Sequence, residues 1–145
     1  MSTGSIEYAR VERVIDHPIA KVWAIAGTFG GVESWIDGVT ACAVEGEGIG
    51  AIRTVTRNGN SVREQLDRHD PEIHEISYAI LDPHPMPAAN VRGTIILAAA
   101  GEGRTRILWC SHASDFTMPP EALGERISAF YAASVDGLDR LLSAG

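Results

Sequence analysis

The sequence predicts an α+β fold in which a curved antiparallel β-sheet of about seven strands wraps around a long C-terminal helix, with two short helices after the first strand. Three observations carry this prediction. The chain has 145 residues, the size of one ordinary domain. Its middle is a run of short alternating apolar and polar segments joined by turn signals. Its last part carries one apolar stripe at helical spacing. We therefore expect residues 1–145 to form a single domain.

The N-terminal part is predicted to contain a strand and then two short helices. Tyr8–Ile15 alternates between two faces, as a strand does. Asp16 can cap the next helix, and Pro18 suits its first turn. Phe29–Ile36 is predicted as a second short helix that carries Trp35. The first helix is indicated by apolar residues at a spacing of three to four, namely Ile19, Val22, Trp23, Ile25 and Ala26.

The middle of the chain is predicted to be a meander of six strands. The Asn58-Gly59 pair is a strong hairpin signal, and glycines or prolines separate the other segments. Strands joined in sequence by hairpins run antiparallel, so we expect one antiparallel sheet. The predicted strands are Val39–Val44, Ile49–Thr56, Ser61–Arg68, Ile73–Leu81, Asn90–Ala99 and Arg104–Ala113.

The C-terminal part is predicted to be one long amphipathic helix. Thr117–Glu121 contains two prolines and an acidic residue, which is typical of a helix start. The helix has about 26 residues, or about 39 Å at 1.5 Å per residue. It must bury its stripe against the sheet, and a sheet that curls around it leaves a cavity. The stripe consists of Leu123, Ile127, Phe130, Tyr131, Ser134, Val135, Leu138, Leu141 and Leu142.

Composition argues against several functions and partners. The net charge of −7 disfavours a nucleic-acid binder, because phosphate contacts need clustered Lys and Arg, and it opposes docking on anionic membranes. Lys21 is the only lysine, and it lies on a predicted amphipathic helix where a solvated side chain is the ordinary case. Catalysis through a buried Schiff-base lysine is therefore disfavoured.

Targeting signals are also lacking. No apolar run reaches the roughly 18 residues of a membrane span, and Met1–Ser5 lacks the pattern of a signal peptide. Cys42 and Cys110 are too few for a disulfide framework, so both are expected to be free thiols. We expect a cytoplasmic protein without membrane insertion, and the sequence leaves open a monomer or a homodimer.

Glu64 and Arg53 are the leading candidates for chemistry. Glu64 shares a strand face with Val62, and Arg53 shares one with Val55, so both charges are predicted to face inward. A hairpin turn centred on Asn58-Gly59 places positions that sum to about 117 opposite each other, which makes the two charged residues cross-strand partners. A carboxylate in an apolar cavity needs such a partner. The pair could orient a ligand or move a proton, or it could be a structural ion pair.

No metal site or cofactor is expected from the histidines and cysteines. No two histidines have the spacing of a zinc helix, and no cysteine lies at ligand spacing from one. His84 lies in the proline-rich loop Asp82–Pro87, where it could act as an acid or base near neutral pH. The alternative is an exposed loop residue.

Five segments in the same order resemble one family. They are Ile15–Trp23, similar to I-x-A-P-x-x-x-V-W; Gly50–Val55, similar to G-x-x-R-x-V; Val62–Leu66, similar to V-x-E-x-L; Pro85–Asn90, similar to P-L-P-V-x-N; and Thr105–Trp109, similar to T-x-V-x-W. Together they resemble the START/Bet v 1-like (SRPBCC) superfamily, in particular its polyketide cyclase/dehydrase branch. The resemblance covers nearly the whole chain.

The resemblance implies a helix-grip fold with a pocket for hydrophobic small molecules, reached through the loops Arg57–Asn60 and Asp82–Pro87. It also places the strand face of Trp109 and Ser111 inside. Tyr78 alternates with apolar neighbours and is predicted to point inward, where its hydroxyl is a polar handle. Val91 stands where relatives often carry an aromatic residue. The candidate ligand-binding residues are Trp35, Val55, Val62, Tyr78, Val91, Trp109, Ser111 and Tyr131.

Three functions remain open at this point, because this superfamily hosts unrelated activities. The first is a cofactor-free cyclase, dehydratase or isomerase for an aromatic or polyketide-like substrate, with Glu64, Arg53 and His84 as catalytic candidates. The second is a carrier or sensor that binds a hydrophobic ligand unchanged. The third is a structural or stress protein with an incidental cavity.

Overall fold

A seven-stranded antiparallel sheet forms the frame of the protein. The computed structural model describes residues 4–145; Met1–Thr3, part of the N-terminal segment discussed above, lie outside the described residues. The spatial order of the strands is β1-β7-β6-β5-β4-β3-β2, so the chain crosses to the far edge after β1 and returns by hairpins. The strands are β1 (Ile6–Ile15), β2 (Val39–Glu45), β3 (Ile52–Arg57), β4 (Asn60–Asp70), β5 (Glu75–Ile80), β6 (Ala89–Ala99) and β7 (Thr105–Ser114).

The helices confirm the predicted outline and differ from it in detail. Helix α1 spans Ile19–Ala26, and α2 spans Pro120–Ala144, 25 residues. The predicted second short helix is only a three-residue 3-10 helix, Val32–Ser34. Its preceding residue, Gly31, has a φ of 70°, a left-handed conformation that an α-helix does not accommodate.

The predicted N-terminal cap of α1 is wrong. The residue that precedes the helix is Pro18, and no side chain caps the first turn. The Asp16 carboxylate instead accepts a hydrogen bond of 3.0 Å from Nε of Arg104, next to the β6–β7 turn. The carboxylate that the sequence pattern assigns to the helix start thus forms an exposed ion pair with Arg104, the residue before β7.

Helix α2 packs against the concave face of the sheet, as its apolar stripe predicts. Two of its glycines make this packing close. A Cβ atom on Gly124 would collide with the backbone carbonyl oxygen of Tyr8, and one on Gly137 would collide with that of Trp35. The backbone at Tyr8 and at Trp35 therefore lies in direct contact with the backbone of α2.

The core is divided into two clusters that share one helix residue. The larger contains Trp35, Leu97, Trp109 and Leu138, among others, and the smaller contains Ala88, Val91, Ala113 and Leu123. Ile127 of α2 packs against both clusters. Within residues 4–145, no helix is long and apolar enough to cross a membrane.

Candidate functional site

The β3–β4 hairpin brings the two predicted charged residues together. Asn58 and Gly59 form its two-residue turn with φ values of 51° and 80°. Positive φ at both positions is the requirement of the turn that matches strand twist, and this turn fixes the register. Arg53 is paired with Glu64 in the observed register, which confirms the predicted pairing.

Arg53 is held by several partners at once. Its Nε and Nη2 lie 2.8 Å and 2.7 Å from the same carboxylate oxygen, Oε1 of Glu64, and its Nη1 donates to the backbone oxygen of Phe29 at 2.8 Å. The guanidinium also lies over two aromatic rings, 4.4 Å from the centroid of Phe29 and 4.8 Å from that of Tyr78. Arg53 is only 4% exposed, and these contacts offset the cost of burying its charge.

Only one of the two carboxylate oxygens of Glu64 is bonded to Arg53. Both contacts from Arg53 reach Oε1, while Oε2 accepts no hydrogen bond from any side chain or backbone group of residues 4–145. The side chain is 14% exposed and lines the cavity described next. The pair therefore presents one free, negatively charged acceptor to that cavity.

A cavity of about 300 Å³ lies between the sheet and α2. Its wall is mostly apolar and aromatic, with few polar groups, as is usual for small-molecule sites. Nearly all the residues predicted for the pocket contribute to it. The lining includes Arg53, Val55, Val62, Glu64, Tyr78, Val91, Trp109, Ser111 and Tyr131.

One end of the cavity opens to solvent. The turn between β3 and β4 and the loop between β5 and β6 contribute lining residues there, in agreement with the access loops that the resemblance implies. The α2 residues Arg126, Ile127 and Phe130 also line the cavity, and the Arg57 guanidinium beside the β3–β4 turn lies 4.3 Å from the centroid of the Phe130 ring. The exposed members of the lining are Asn58, Asn60, Pro85 and Arg126.

A second polar group lies on the wall formed by β1, β5, β7 and α2. Ser111 Oγ lies 2.7 Å from the Tyr8 hydroxyl and 3.2 Å from the backbone oxygen of Arg92. Since serine has one proton to donate, it donates to the carbonyl while accepting from Tyr8. Trp109 Nε1 donates to the Tyr78 hydroxyl at 3.2 Å, and the Trp109 ring stacks on Tyr131 at 4.0 Å between centroids.

The tyrosines of this cluster stay neutral over a wide pH range. Burial raises the pKa of Tyr78 far above its ordinary value, and the negative charge of Glu64 raises it further. Burial likewise raises the pKa of Tyr131 well above the usual range, followed by the effect of the Tyr78 hydroxyl. Burial also raises the pKa of Tyr8. The cluster therefore offers hydroxyl protons, not phenolate charges.

Several residues that line the cavity were not predicted as site residues from the sequence, and Tyr8 and Gly93 show why. Tyr8 lies where the pairing of β1 with β7 shifts register between Glu7 and Ala9, a β-bulge that alternation alone does not reveal. Gly93 lies opposite Tyr78 on β6, and a Cβ atom there would collide with the tyrosine ring. Glycine inside a strand often marks such a close approach, so the sequence did carry a signal for Gly93.

Two predicted site residues lie outside the cavity wall. The His84 side chain is 5% exposed; its Nδ1 accepts from the backbone N–H of Met86 at 3.1 Å, and its Nε2 lies 3.3 Å from Asp82 Oδ1. These contacts hold the loop, and its neighbours Pro85 and Met86 line the cavity instead. Trp35 is buried behind the wall, with its ring 5.5 Å from that of Trp109.

No metal centre is found in the described part of the chain. Among residues 4–145, no group of three or more His, Cys, Asp or Glu side chains is arranged to hold a metal ion. Cys42 and Cys110 are both free thiols, as expected. Cys110 is buried, which raises the pKa of its thiol to about 11.

Several solved structures have the same fold. A protein from Thermobifida fusca is 20% identical with a TM-score of 0.80, covering 94% of this chain and 93% of its own. The protein XoxI from Bacillus cereus is 15% identical with a TM-score of 0.83, covering 97% and 96%. Ara h 8.0201 is 16% identical with a TM-score of 0.77, covering 98% and 100%. At these identities the likeness concerns the fold.

Comparison at the level of sequence families is more specific. No curated protein matches the sequence significantly. The family model described as polyketide cyclase / dehydrase and lipid transport matches residues 8–143, nearly the whole chain. Together with the helix-grip fold shared with the Bet v 1-like protein Ara h 8.0201, this match shows that the chain belongs to the polyketide cyclase/dehydrase family of the SRPBCC superfamily.

Proposed function

We propose that this protein binds a hydrophobic, aromatic or polyketide-like small molecule in the cavity and acts on it as a cofactor-free cyclase, dehydratase or isomerase. The observation that carries the proposal is the carboxylate of Glu64, held by Arg53 through one oxygen while the other faces the cavity. A fixed carboxylate beside a largely apolar chamber is suited to proton abstraction.

The wall of the cavity supports an aromatic ligand. The stacked rings of Trp109 and Tyr131, with Phe130 beside them, offer flat apolar surface. The volume of about 300 Å³ lies at the lower end of the range found for ligand pockets, about 300–1,000 Å³. A ligand of one to three fused or linked rings matches this space better than a long lipid with two chains.

In this chemistry, the Glu64 carboxylate would act as the base and the Tyr78 hydroxyl as a hydrogen-bond donor to the substrate. Oε2 of Glu64 would take a proton from an acidic C–H or O–H of the substrate, while Arg53 keeps the carboxylate in place. The Tyr78 hydroxyl accepts from Trp109 and also pairs with the Tyr131 hydroxyl, and one phenolic proton of this pair would be available to a substrate oxygen that becomes negative. The proton on Glu64 would then return to another substrate carbon, or leave with a hydroxyl group as water.

A second function is favoured by one specific observation. Most polar groups of the wall already bond to one another: Arg53 with Glu64 and Phe29, and Tyr8 with Ser111. A wall that satisfies itself in this way suits a carrier or sensor that holds a ligand without changing it. The two functions differ in what Glu64 does.

The substitution Glu64→Gln tests the proposal, with Glu47→Gln in an exposed turn as the matched control. Native mass spectrometry of the purified protein first identifies any copurified ligand, and turnover and affinity are then measured on that compound. For an enzyme, we expect Glu64→Gln to lower the rate about a hundredfold or more and to change affinity by only a few fold. No product from the unaltered protein, with weaker binding in the variant, would establish the carrier instead.

A further inference from the structure

The charged groups of the cavity are separated along its length. Arg53 and Arg57 lie on the same face of β3, four residues apart, which corresponds to about 13 Å along a strand. Arg53 is buried and the side chain of its partner Glu64 is 14% exposed, whereas Arg57 has 40% of its side chain exposed. Arg126 of α2 is exposed, lines the same cavity and lies one helical turn before Phe130, whose ring contacts Arg57. The inner end therefore carries a paired carboxylate, and the outer end carries two guanidinium groups.

The inner end is unsuited to an anion. The guanidinium of Arg53 is already engaged by Glu64 and by the backbone oxygen of Phe29. The free oxygen of Glu64 is a charged acceptor, so it repels a ligand carboxylate and attracts a hydroxyl or amine proton. A ligand group that reaches this end is accordingly a hydrogen-bond donor.

The outer end is suited to an anion. Arg57 is fixed by its Nε donating to the backbone oxygen of Asp37 at 2.9 Å and by its position 4.3 Å above the Phe130 ring. Its charge is offset in part by the Asp37 carboxylate at 3.6 Å. Arg126 has no ion-pair partner among residues 4–145, so its charge is uncommitted. In a chain of net charge −7, two arginines at a cavity mouth form a local exception.

We infer that the ligand is an elongated hydrophobic molecule that enters with a hydrogen-bond donor leading, to meet Glu64, and leaves an anionic group such as a carboxylate at the mouth beside Arg126 and Arg57. This inference rests on the proposed ligand binding, but not on catalysis. It assigns the ligand class, an aromatic or polyketide-like hydroxy acid, and its direction in the cavity.

The test uses a biphenyl with a hydroxyl group at one para end and a carboxylate at the other. Three comparison compounds each change one group. The first lacks the hydroxyl, the second has a methyl ester in place of the carboxylate, and the third has a phosphonate in place of the carboxylate. Isothermal titration calorimetry measures their affinities for the unaltered protein. We expect the hydroxy acid to bind about fivefold more tightly than its methyl ester, the effect of an exposed ion pair. A phosphonate that binds more tightly than the acid would assign a phosphate-type end group.

Matched variants locate the two ends. Arg126→Gln is expected to remove most of the preference for acid over ester, whereas Arg140→Gln, about 21 Å further along the same helix, keeps it. Glu64→Gln is expected to remove the advantage of the hydroxyl compound, because an amide held by Arg53 through its oxygen presents a donor where the carboxylate presented an acceptor. The melting temperature of each variant establishes that it is folded.

The outcomes separate this inference from the function on which it rests. The neutral fluorophore N-phenylnaphthylamine reports whether the cavity takes apolar molecules at all. If it binds while acid and ester bind equally, or while Arg126→Gln and Arg140→Gln behave alike, the direction proposed here is overturned and ligand binding stands. If neither the fluorophore nor any biphenyl binds, the proposed ligand binding is overturned, and this inference with it.

Discussion

The cavity has two polar walls that differ in charge and in how they are satisfied. On β3 and β4, Arg53 and Glu64 form a buried ion pair that leaves one carboxylate oxygen facing the cavity. On β1, β5, β7 and α2, a hydroxyl cluster formed by Tyr8, Tyr78, Ser111 and Tyr131 bonds to protein groups and carries no charge. Both walls are largely shielded from solvent, yet only the first holds an ionised group.

This difference between the two walls predicts different costs for removing their polar groups. Removing either member of the ion pair leaves an uncompensated charge, which is expensive in a buried position. Removing a hydroxyl from the cluster leaves a neutral partner that loses about one hydrogen bond. The ion pair is therefore expected to dominate both stability and chemistry, while the hydroxyl cluster sets the form of the wall.

The largest expected effect is that of Arg53→Met. The substitution leaves the Glu64 carboxylate and the Phe29 carbonyl without their donors, so we expect the free energy of unfolding to fall by about 3–5 kcal/mol. Urea denaturation measures it. Arg106→Met, at an exposed position of β7, is the control and is expected to change stability by less than about 0.5 kcal/mol. A loss of similar size in both variants would contradict the special role of the ion pair.

High pH is expected to destabilise the protein through the hydroxyl cluster. The pKa values of Tyr78 and Tyr131 are raised above the ordinary 10.0 in the folded state, so the unfolded chain loses these protons first. Their contribution is complete below about pH 10 and falls above it by about 1.4 kcal/mol per pH unit for each group. Urea denaturation across this range measures the slope, which Tyr78→Phe should reduce. An unchanged slope in that variant would show that other groups cause the loss.

Gly93→Ala tests the space that the Tyr78 ring requires. The added methyl group would collide with the ring, so we expect a loss of about 1–3 kcal/mol in the free energy of unfolding. In a Tyr78→Leu background the same change should cost much less, and the double-mutant cycle isolates this coupling. Equal costs in the two backgrounds would mean that the glycine serves another purpose.

Ser111→Ala is expected to have the smallest effect. It removes the partner of the Tyr8 hydroxyl, and we expect a loss of about 1 kcal/mol. Tyr8→Phe should cost somewhat less, because Ser111→Ala also removes the bond to the backbone oxygen of Arg92. The double variant should cost little more than Ser111→Ala alone, because both substitutions remove the same bond between the two hydroxyl groups. Thermal unfolding measures all three proteins. Strictly additive losses would show that the two hydroxyl groups act independently.

The hairpin chemistry explains why the charged wall could be predicted. A two-residue Asn-Gly turn permits essentially one register, so counting outward from Asn58 and Gly59 identifies Arg53 and Glu64 as partners without knowledge of the rest of the fold. The long helix was equally accessible, because its stripe runs unbroken over the 25 residues of α2.

The hydroxyl wall was harder to predict, because it depends on irregularities. Alternation along β1 assigns Tyr8 to the outer face with Arg10, and only the bulge beside it reverses that assignment. His84 depends on the path of a loop, which the sequence pattern does not determine. Gly31 and Gly38 adopt positive φ angles and break the backbone on either side of Val32–Ser34. The spacing of the apolar residues does not show these breaks, so it predicted a helix.

The two glycines of α2 have a consequence for how this protein can diverge. Because Gly124 and Gly137 let the backbone of α2 approach the backbone at Tyr8 and Trp35 closely, the position of α2 over the sheet is fixed at two points by backbone contacts and not by cavity side chains. Substitutions of cavity-lining side chains between these two glycines can change which ligand fits without moving α2 closer to the sheet. Selectivity can therefore drift across homologues while the enclosing architecture stays the same.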